Sequence, residues 1–222
     1  MIRQDLRLAV FDCDGTLIDS QVNIIRAMES SFQRHGLPAP DSHATRRIVG
    51  LSLVEAMQAL LPDADHALHQ SLADDYKTAF QRLRADKALD AEPLYPGIRE
   101  LLDALDAQGW LLAVATGKSD RGLKLALEHH GIHPLFVSLQ TADRHPSKPH
   151  PSMLRAALAD AGAQAHQAVM IGDTVFDIAM GEAAGVRSIG VDWGYHDAHE
   201  LLDAGAAHVA ETADHLLTLL NG

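Results

Sequence analysis

Cysteine is almost missing from this chain of 222 residues: Cys13 stands alone. An intramolecular disulfide is therefore excluded, and so is a zinc site built on several thiolates. Positive charge is scarce as well, with 18 Lys and Arg against 30 Asp and Glu and a formal charge of −12. That balance argues against non-specific nucleic-acid binding, because a phosphate backbone requires clustered Lys and Arg. It leaves a small anionic substrate open, since a metal ion or one lysine reverses the sign inside a single pocket. No run approaches the ~18 apolar residues that a membrane span needs. The first residues pass through Arg3 and Asp5 straight into a strand-like run, without the basic segment, apolar core and cleavage site of a targeting peptide. The expectation is a soluble, cytoplasmic protein with no nucleic-acid or membrane partner, monomeric or homodimeric.

What is present is globular in character. Hydrophobic residues make up 47% of the chain and charged ones 22%, too apolar a mixture for a disordered acidic segment. The length suffices to bury a core, as one large domain or as a domain with an insert. Short, nearly continuous apolar runs at residues 6–11, 110–115, 168–171 and 187–191 end at polar residues, with weaker runs at 135–139 and 208–210. Unbroken apolar character suits parallel strands covered on both faces. The segments between them, 96–108, 120–131, 152–162 and 177–185, read as helices stopped by glycine. Residues 17–91 differ: they offer helical stretches at 22–35, 42–49, 53–60 and 65–85 and little strand. Asp41 or Ser42 is a candidate cap, and Pro62 with Asp63 an interruption. A helical block thus interrupts an α/β rhythm that resumes at Leu94, with linkers near 18–20 and 91–93.

Four places carry candidate chemistry. Asp12-Cys13-Asp14-Gly15-Thr16 follows the first strand, where an open parallel sheet usually puts its site. Two carboxylates one residue apart can bind a cation while one attacks an electrophile, although such a stretch equally suits a turn. Gly172-Asp173-Thr174-Val175-Phe176-Asp177 follows another buried strand; Asp173 alone would read as a helix cap, but it matches the first acidic cluster. Thr116-Gly117-Lys118-Ser119 offers a hydroxyl and backbone N–H groups to phosphoryl oxygens, or a plain N-cap, and lacks the glycine run of a Walker loop. Lys148, between Pro146 and Pro149, presents either a fixed positive charge to an anion or an exposed loop cation. In the helical block, Arg46 and Arg47 precede a Gly50-Leu51-Ser52 turn, and one of them would recognise a substrate carboxylate unless both are surface charges.

In this order and spacing, these residues resemble the haloacid dehalogenase-like hydrolase superfamily, in particular its phosphatases with a small helical cap. Asp12 and Asp14 match the first motif, Thr116 the second, Lys148 the third, and Asp173 with Asp177 the fourth. The run from Asp14 to Ser20, the segment 46–51 and the proline-flanked loop around Lys148 look most similar to phosphoglycolate phosphatase-like proteins. The resemblance implies a Rossmann-like parallel-sheet core, residues 1–17 and 92–222, with an inserted all-helical cap, residues 18–91. It also implies a two-step phosphoryl transfer on a small phosphorylated metabolite. Asp12 would form an aspartyl phosphate, and Asp14 would protonate the leaving oxygen and then deprotonate water. Mg²⁺ would be held by Asp12, the Asp14 carbonyl, Asp173 and Asp177. Thr116, Gly117 and Lys148 would hold phosphoryl oxygens, with Asp19, Ser20, Lys118 and Arg121 near the pocket mouth. The intact second acid favours phosphoryl transfer over dehalogenation. 2-Phosphoglycolate is the first substrate expectation; a sugar phosphate, a nucleoside monophosphate, pyrophosphate or a mutase reaction are alternatives, and a non-catalytic metal- and phosphate-binding regulator is the reading of another class.

Three features invite duller readings. Cys13 should point away from its aspartate neighbours into the core and be inert. Among the fourteen histidines, His129-His130 and His145 to His150 lack a zinc spacing and suit helix ends or solvent. Trp193-Gly194-Tyr195-His196 reads as a structural loop anchored by packing.

Overall fold

The structure is a computed structural model that describes residues 6–222; Arg3, Asp5 and the rest of the first five lie outside the described residues. Six strands form one parallel sheet: β1 (Leu8–Phe11), β2 (Leu111–Thr116), β3 (Phe136–Thr141), β4 (Ala168–Gly172), β5 (Arg187–Val191) and β6 (His208–Ala210), in the order β3-β2-β1-β4-β5-β6. Residues alternate between its faces. Ala9, Phe11, Leu112, Val114, Val169 and Ile171 join one apolar cluster, while Leu8, Val10, Ala113, Ala115, Ala168 and Met170 join another. This two-sided burial is why the strands read as unbroken apolar runs. Helices α5 (Ile98–Ala107), α6 (Asp120–His129) and α10 (Ala213–Asn221) serve the first cluster; α7 (Ser152–Ala161) and α8 (Val175–Ala184) serve the second. A Rossmann-like α/β fold is thus in place, as its strand order requires.

Between β1 and α5 lie α1 (Gln21–Arg34), α2 (Ser42–Arg47), α3 (Leu53–Leu60) and α4 (His66–Ala85), and none of this stretch adds a strand to the sheet. Asp41 caps α2 through Ala44 N–H at 2.7 Å, and Asp65 caps α4 through Leu68 N–H at 2.8 Å. Met28, Phe32, Met57, Leu72 and Ala73 give this helical insert an apolar cluster of its own. The Ser31 hydroxyl donates to the Leu72 carbonyl at 2.7 Å, tying α1 to α4. The two connecting segments hydrogen-bond to each other: Asp19 N–H to the Pro93 carbonyl at 2.9 Å and Tyr95 N–H to the Leu17 carbonyl at 3.0 Å.

Several boundaries differ from the sequence reading. Helix α8 starts at Val175 rather than Asp177, because Thr174 and Asp177 form a reciprocal capping box. Asp173 therefore lies outside the helix and is not its cap. Strand β3 runs on to Thr141, which pairs with Thr116 of β2 beyond a register shift at Leu112/Ala113. Helices α9 (Ala198–Asp203) and α10 were not assigned from periodicity, although Asp197 with Glu200 and Thr212 cap them.

Leu72 has no exposed surface, so Leu72→Ala should destabilise the insert by about 2–5 kcal/mol. Urea titration followed by circular dichroism would measure it; an unchanged midpoint would contradict the separate apolar cluster.

Candidate active site

The parallel register builds the site. Phe11 pairs with Ile171, and Asp12 N–H donates to the Ile171 carbonyl at 2.9 Å, so the strand-end aspartates of β1 and β4 emerge side by side. The sheet also reverses its order between these strands, which opens a crevice at their carboxyl ends. Carboxylate oxygens of Asp12, Asp173 and Asp177 lie within 4.8 Å of one another, all buried. Lys148 reaches them from the loop after β3. Its Nζ lies 2.8 Å from Asp12 Oδ1 and 2.6 Å from Asp177 Oδ1, and the Lys148–Pro149 peptide is cis.

Each carboxylate has a distinct setting. Asp177 Oδ2 accepts from Thr174 N–H and from the Thr174 hydroxyl, at 3.1 and 2.7 Å. Asp173 accepts from the Thr16 hydroxyl at 2.8 Å and from Tyr195 N–H at 3.0 Å. Asp12 Oδ2 is buried without a hydrogen-bond partner among the described residues. Burial, then repulsion from Asp177, pushes the Asp12 carboxyl up to about 7 in spite of Lys148. Burial and the charges of Asp12 and Asp177 likewise raise Asp173. Burial opposes the charged form of Lys148, but the adjacent Asp12 and Asp177 outweigh it and hold its pKa above the ordinary value.

Asp14 faces elsewhere. Its Oδ1 accepts from the Lys118 ammonium at 2.5 Å and from the Ser20 hydroxyl. Lys118, expected to meet substrate, is therefore held by the second aspartate, whose charge lifts its pKa against burial. Thr116 is buried beside it, its hydroxyl accepting from Lys118 N–H at 3.2 Å. Gly117 lies against the insert: a Cβ there would come within 2.7 Å of the Leu51 carbonyl and 2.8 Å of the Gly50 carbonyl. Asp12, Asp14, Thr116, Gly117, Lys118 and Arg121 all line one cavity of about 1310 Å³ between insert and sheet.

Arg46 and Arg47 do not line that cavity. Arg46 Nε bonds the Ser42 carbonyl of its own helix at 3.2 Å. Arg47 forms a two-pronged pair with Glu200 of α9, at 2.5 and 2.7 Å. Asp19 accepts from Gln21 N–H at 3.4 Å and does not line the cavity. The last turn of the short α2 helix carries Arg47 to the insert–core seam and leaves Arg46 folded back on its own helix.

Sequence reading also missed that seam. His196 is buried; its Nδ1 accepts from Val175 N–H at 3.3 Å and its Nε2 lies 3.2 Å from the Arg47 carbonyl. Burial, then the nearby Arg47, lowers its pKa. Ser52 N–H donates to the Ser147 hydroxyl at 2.8 Å. Partners 149 and 153 residues apart leave no local signal. The 193–196 loop has the structural role expected: Trp193 Nε1 donates to the Thr16 carbonyl at 3.1 Å, and Tyr195 N–H braces Asp173. Cys13 is fully buried in the core, its thiol pushed up by burial. His145 departs from a solvent role, bonding Gln140 and Ser152 at 2.8 Å each.

The donor set fits a hard divalent cation: oxygen ligands only, clustered, with an unpartnered buried oxygen on Asp12. Residues 9–191 match the model of the haloacid dehalogenase-like hydrolases. Of Dickeya dadantii, the protein described as "Probable phosphatase IndB" is 35% identical, with 92% of this chain and 89% of that protein aligned. A phosphoglycolate phosphatase of Vibrio parahaemolyticus is 29% identical, covering 99% and 98%. A crystal structure described as a "predicted phosphatase" from Clostridium acetobutylicum superposes with a TM-score of 0.88 at 26% identity, covering 97% and 98%.

The pair with Arg47 holds the Glu200 carboxyl down to about 2, from an ordinary 4.5. A depressed carboxyl stabilises the folded state above its ordinary value and loses that contribution as pH falls. The melting-temperature gap between wild type and Glu200→Gln should be constant above pH 4.5 and shrink toward pH 2. A gap independent of pH would reject the pair as its source.

Proposed function

The chain belongs to the haloacid dehalogenase-like hydrolase family and is a phosphatase, and from that premise we propose that it hydrolyses a small phosphomonoester through an aspartyl phosphate on Asp12. The observation that carries this reading is the buried Lys148 ammonium, 2.8 Å from Asp12 and 2.6 Å from Asp177 at the end of the sheet. A fixed cation there suits the phosphoryl oxygens of a dianion and neutralises charge that develops in transfer.

In the first step an Asp12 oxygen attacks phosphorus. A P–O bond to Asp12 forms, the P–O bond to the alcohol breaks, and the departing oxygen takes a proton from Asp14. In the second step Asp14 receives a proton from water as that water attacks the aspartyl phosphate, releasing inorganic phosphate and restoring Asp12. Lys118 and Ser20 engage Oδ1 of Asp14 and so orient it, leaving the second oxygen to exchange the proton. The Thr116 hydroxyl and the Gly117 N–H are the proposed donors to the phosphoryl group, with Lys148. Asp12, Asp173, Asp177 and the Asp14 carbonyl would hold Mg²⁺, which when bound offsets the charge of crowded carboxylates and a dianionic ester. The helical insert, residues 18–91, acts as the cap over residues 1–17 and 92–222, excluding water from the reaction. 2-Phosphoglycolate is the reference substrate because a relative bears that activity in its name.

Phosphate release from a panel of small esters, pyrophosphate included, tests this reading. Release should require Mg²⁺, stop with EDTA and return when the ion is restored in excess. Asp12→Asn should reduce turnover to background while the thermal transition persists. Retained turnover would remove Asp12 as nucleophile. Asp14→Asn should slow turnover by about 10²–10⁴-fold, and an unchanged rate would reject its proton-transfer role.

A further inference from the structure

The cavity is large for the reference substrate. It holds about 1310 Å³, whereas pockets for drug-sized ligands span roughly 300–1,000 Å³, and a two-carbon acid phosphate is smaller still. This is the volume with the insert already seated on the core. Arg47 grips Glu200, Ser52 N–H meets Ser147, and the Leu51 carbonyl crowds Gly117. Neither arginine expected to hold a substrate carboxylate lines this space.

Beside charged groups such as Lys77, Arg121, Glu92 and Glu128, the wall carries an aromatic series. Tyr76, Phe80 and Arg84 recur every fourth residue of α4, so they succeed one another on one helix face at about 6 Å per step. Burial raises the phenol pKa of Tyr76, and the residue shares the cavity wall with Lys118 and Asp14, whose charges reach it. The Phe80 ring follows, 5.9 Å from that of Tyr76 and inclined by 41°. Arg84 stands beyond it, its guanidinium 5.8 Å from the Phe80 centroid. Tyr76 packs against the insert's apolar cluster, but Phe80 is outside it; the ring is half-buried in the cavity wall. Leu125 of α6 lines the same cavity and leaves 36% of its surface exposed. Two aromatic rings and a leucine facing a common void leave apolar surface that a ligand ring would cover.

We propose that the substrate is a phosphomonoester whose alcohol carries an aromatic or similarly bulky apolar ring, seated between Tyr76 and Phe80 of α4 and Leu125 of α6. This rests on the phosphatase reading above, with phosphorus at Asp12 and the alcohol extending along α4. Glycolate phosphate fills only the inner end of such a site.

The test compares ethyl phosphate with 2-phenylethyl phosphate, two alkyl esters that differ chiefly by the ring, with 2-phosphoglycolate as the reference, all in Mg²⁺. The phenyl ester should show kcat/KM at least about tenfold above ethyl phosphate and above 2-phosphoglycolate, as burial of a phenyl ring dictates. Phe80→Ala should cut the phenyl-to-ethyl ratio about tenfold. Equal constants for the two alkyl esters, a preference for 2-phosphoglycolate, or a ratio untouched by Phe80→Ala would overturn the proposal. Calorimetric titration with 3-phenylpropylphosphonate and propylphosphonate, which cannot be hydrolysed, separates the two ideas. Tenfold tighter binding of the phenyl compound without turnover of any ester would sustain the ring site and sink the phosphatase reading. Equal binding would sink the ring site whatever the turnover.

Discussion

Asp12, Asp173 and Asp177 are crowded within 4.8 Å at a buried edge of the sheet, where desolvation and mutual repulsion both oppose ionisation. Lys148 is the cation the chain supplies against them, and its ammonium is itself fully buried. Much of the surrounding backbone is shaped by this cluster. A Cβ at Gly172 would overlap the Asp177 carboxyl, and a Cβ at Gly15 or Gly194 would overlap that of Asp173. Gly15 also sits at a φ of +89°, which a residue with a side chain rarely adopts. At these three positions the carboxylates occupy the space a side chain would need.

The same crowding sets the two aspartates of the first motif in different surroundings. Asp12 faces the acidic cluster, with one oxygen on Lys148 and the other unpartnered. Asp14 turns toward Lys118 and Ser20, on the side that opens to the cavity. One residue of separation thus puts two carboxylates in different electrostatic company, the condition for giving them different jobs. The insert meets the core through Ser52 and the Gly50–Leu51 turn at the cavity wall, and through Arg47 away from it.

Much of this was readable from local pattern. Buried strands followed by aspartate at positions 12 and 173 and by Thr116 announce themselves, because a doubly covered strand must be apolar and its end must turn. The helical insert was visible for the same reason, its apolar residues recurring at helical spacing. Helix α8 begins two residues before the helical pattern read from the sequence, because the Thr174–Asp177 capping box sets its first turn. Arg46 and Arg47 were sensible anion ligands by residue type, yet the last turn of a six-residue helix aims Arg47 at Glu200.

The sequence by itself determined the strands, the helical insert and the order of the chemical residues, since each depends on neighbours a few positions away. Only the tertiary structure decided which charges meet: Lys148 with Asp12 and Asp177, Lys118 with Asp14, Arg47 with Glu200. Those pairings depend on the lateral order and register of strands and on how the insert seats on the sheet. Ionic attraction has no sequence period, so a lysine's partner is set by the packing that brings it within reach.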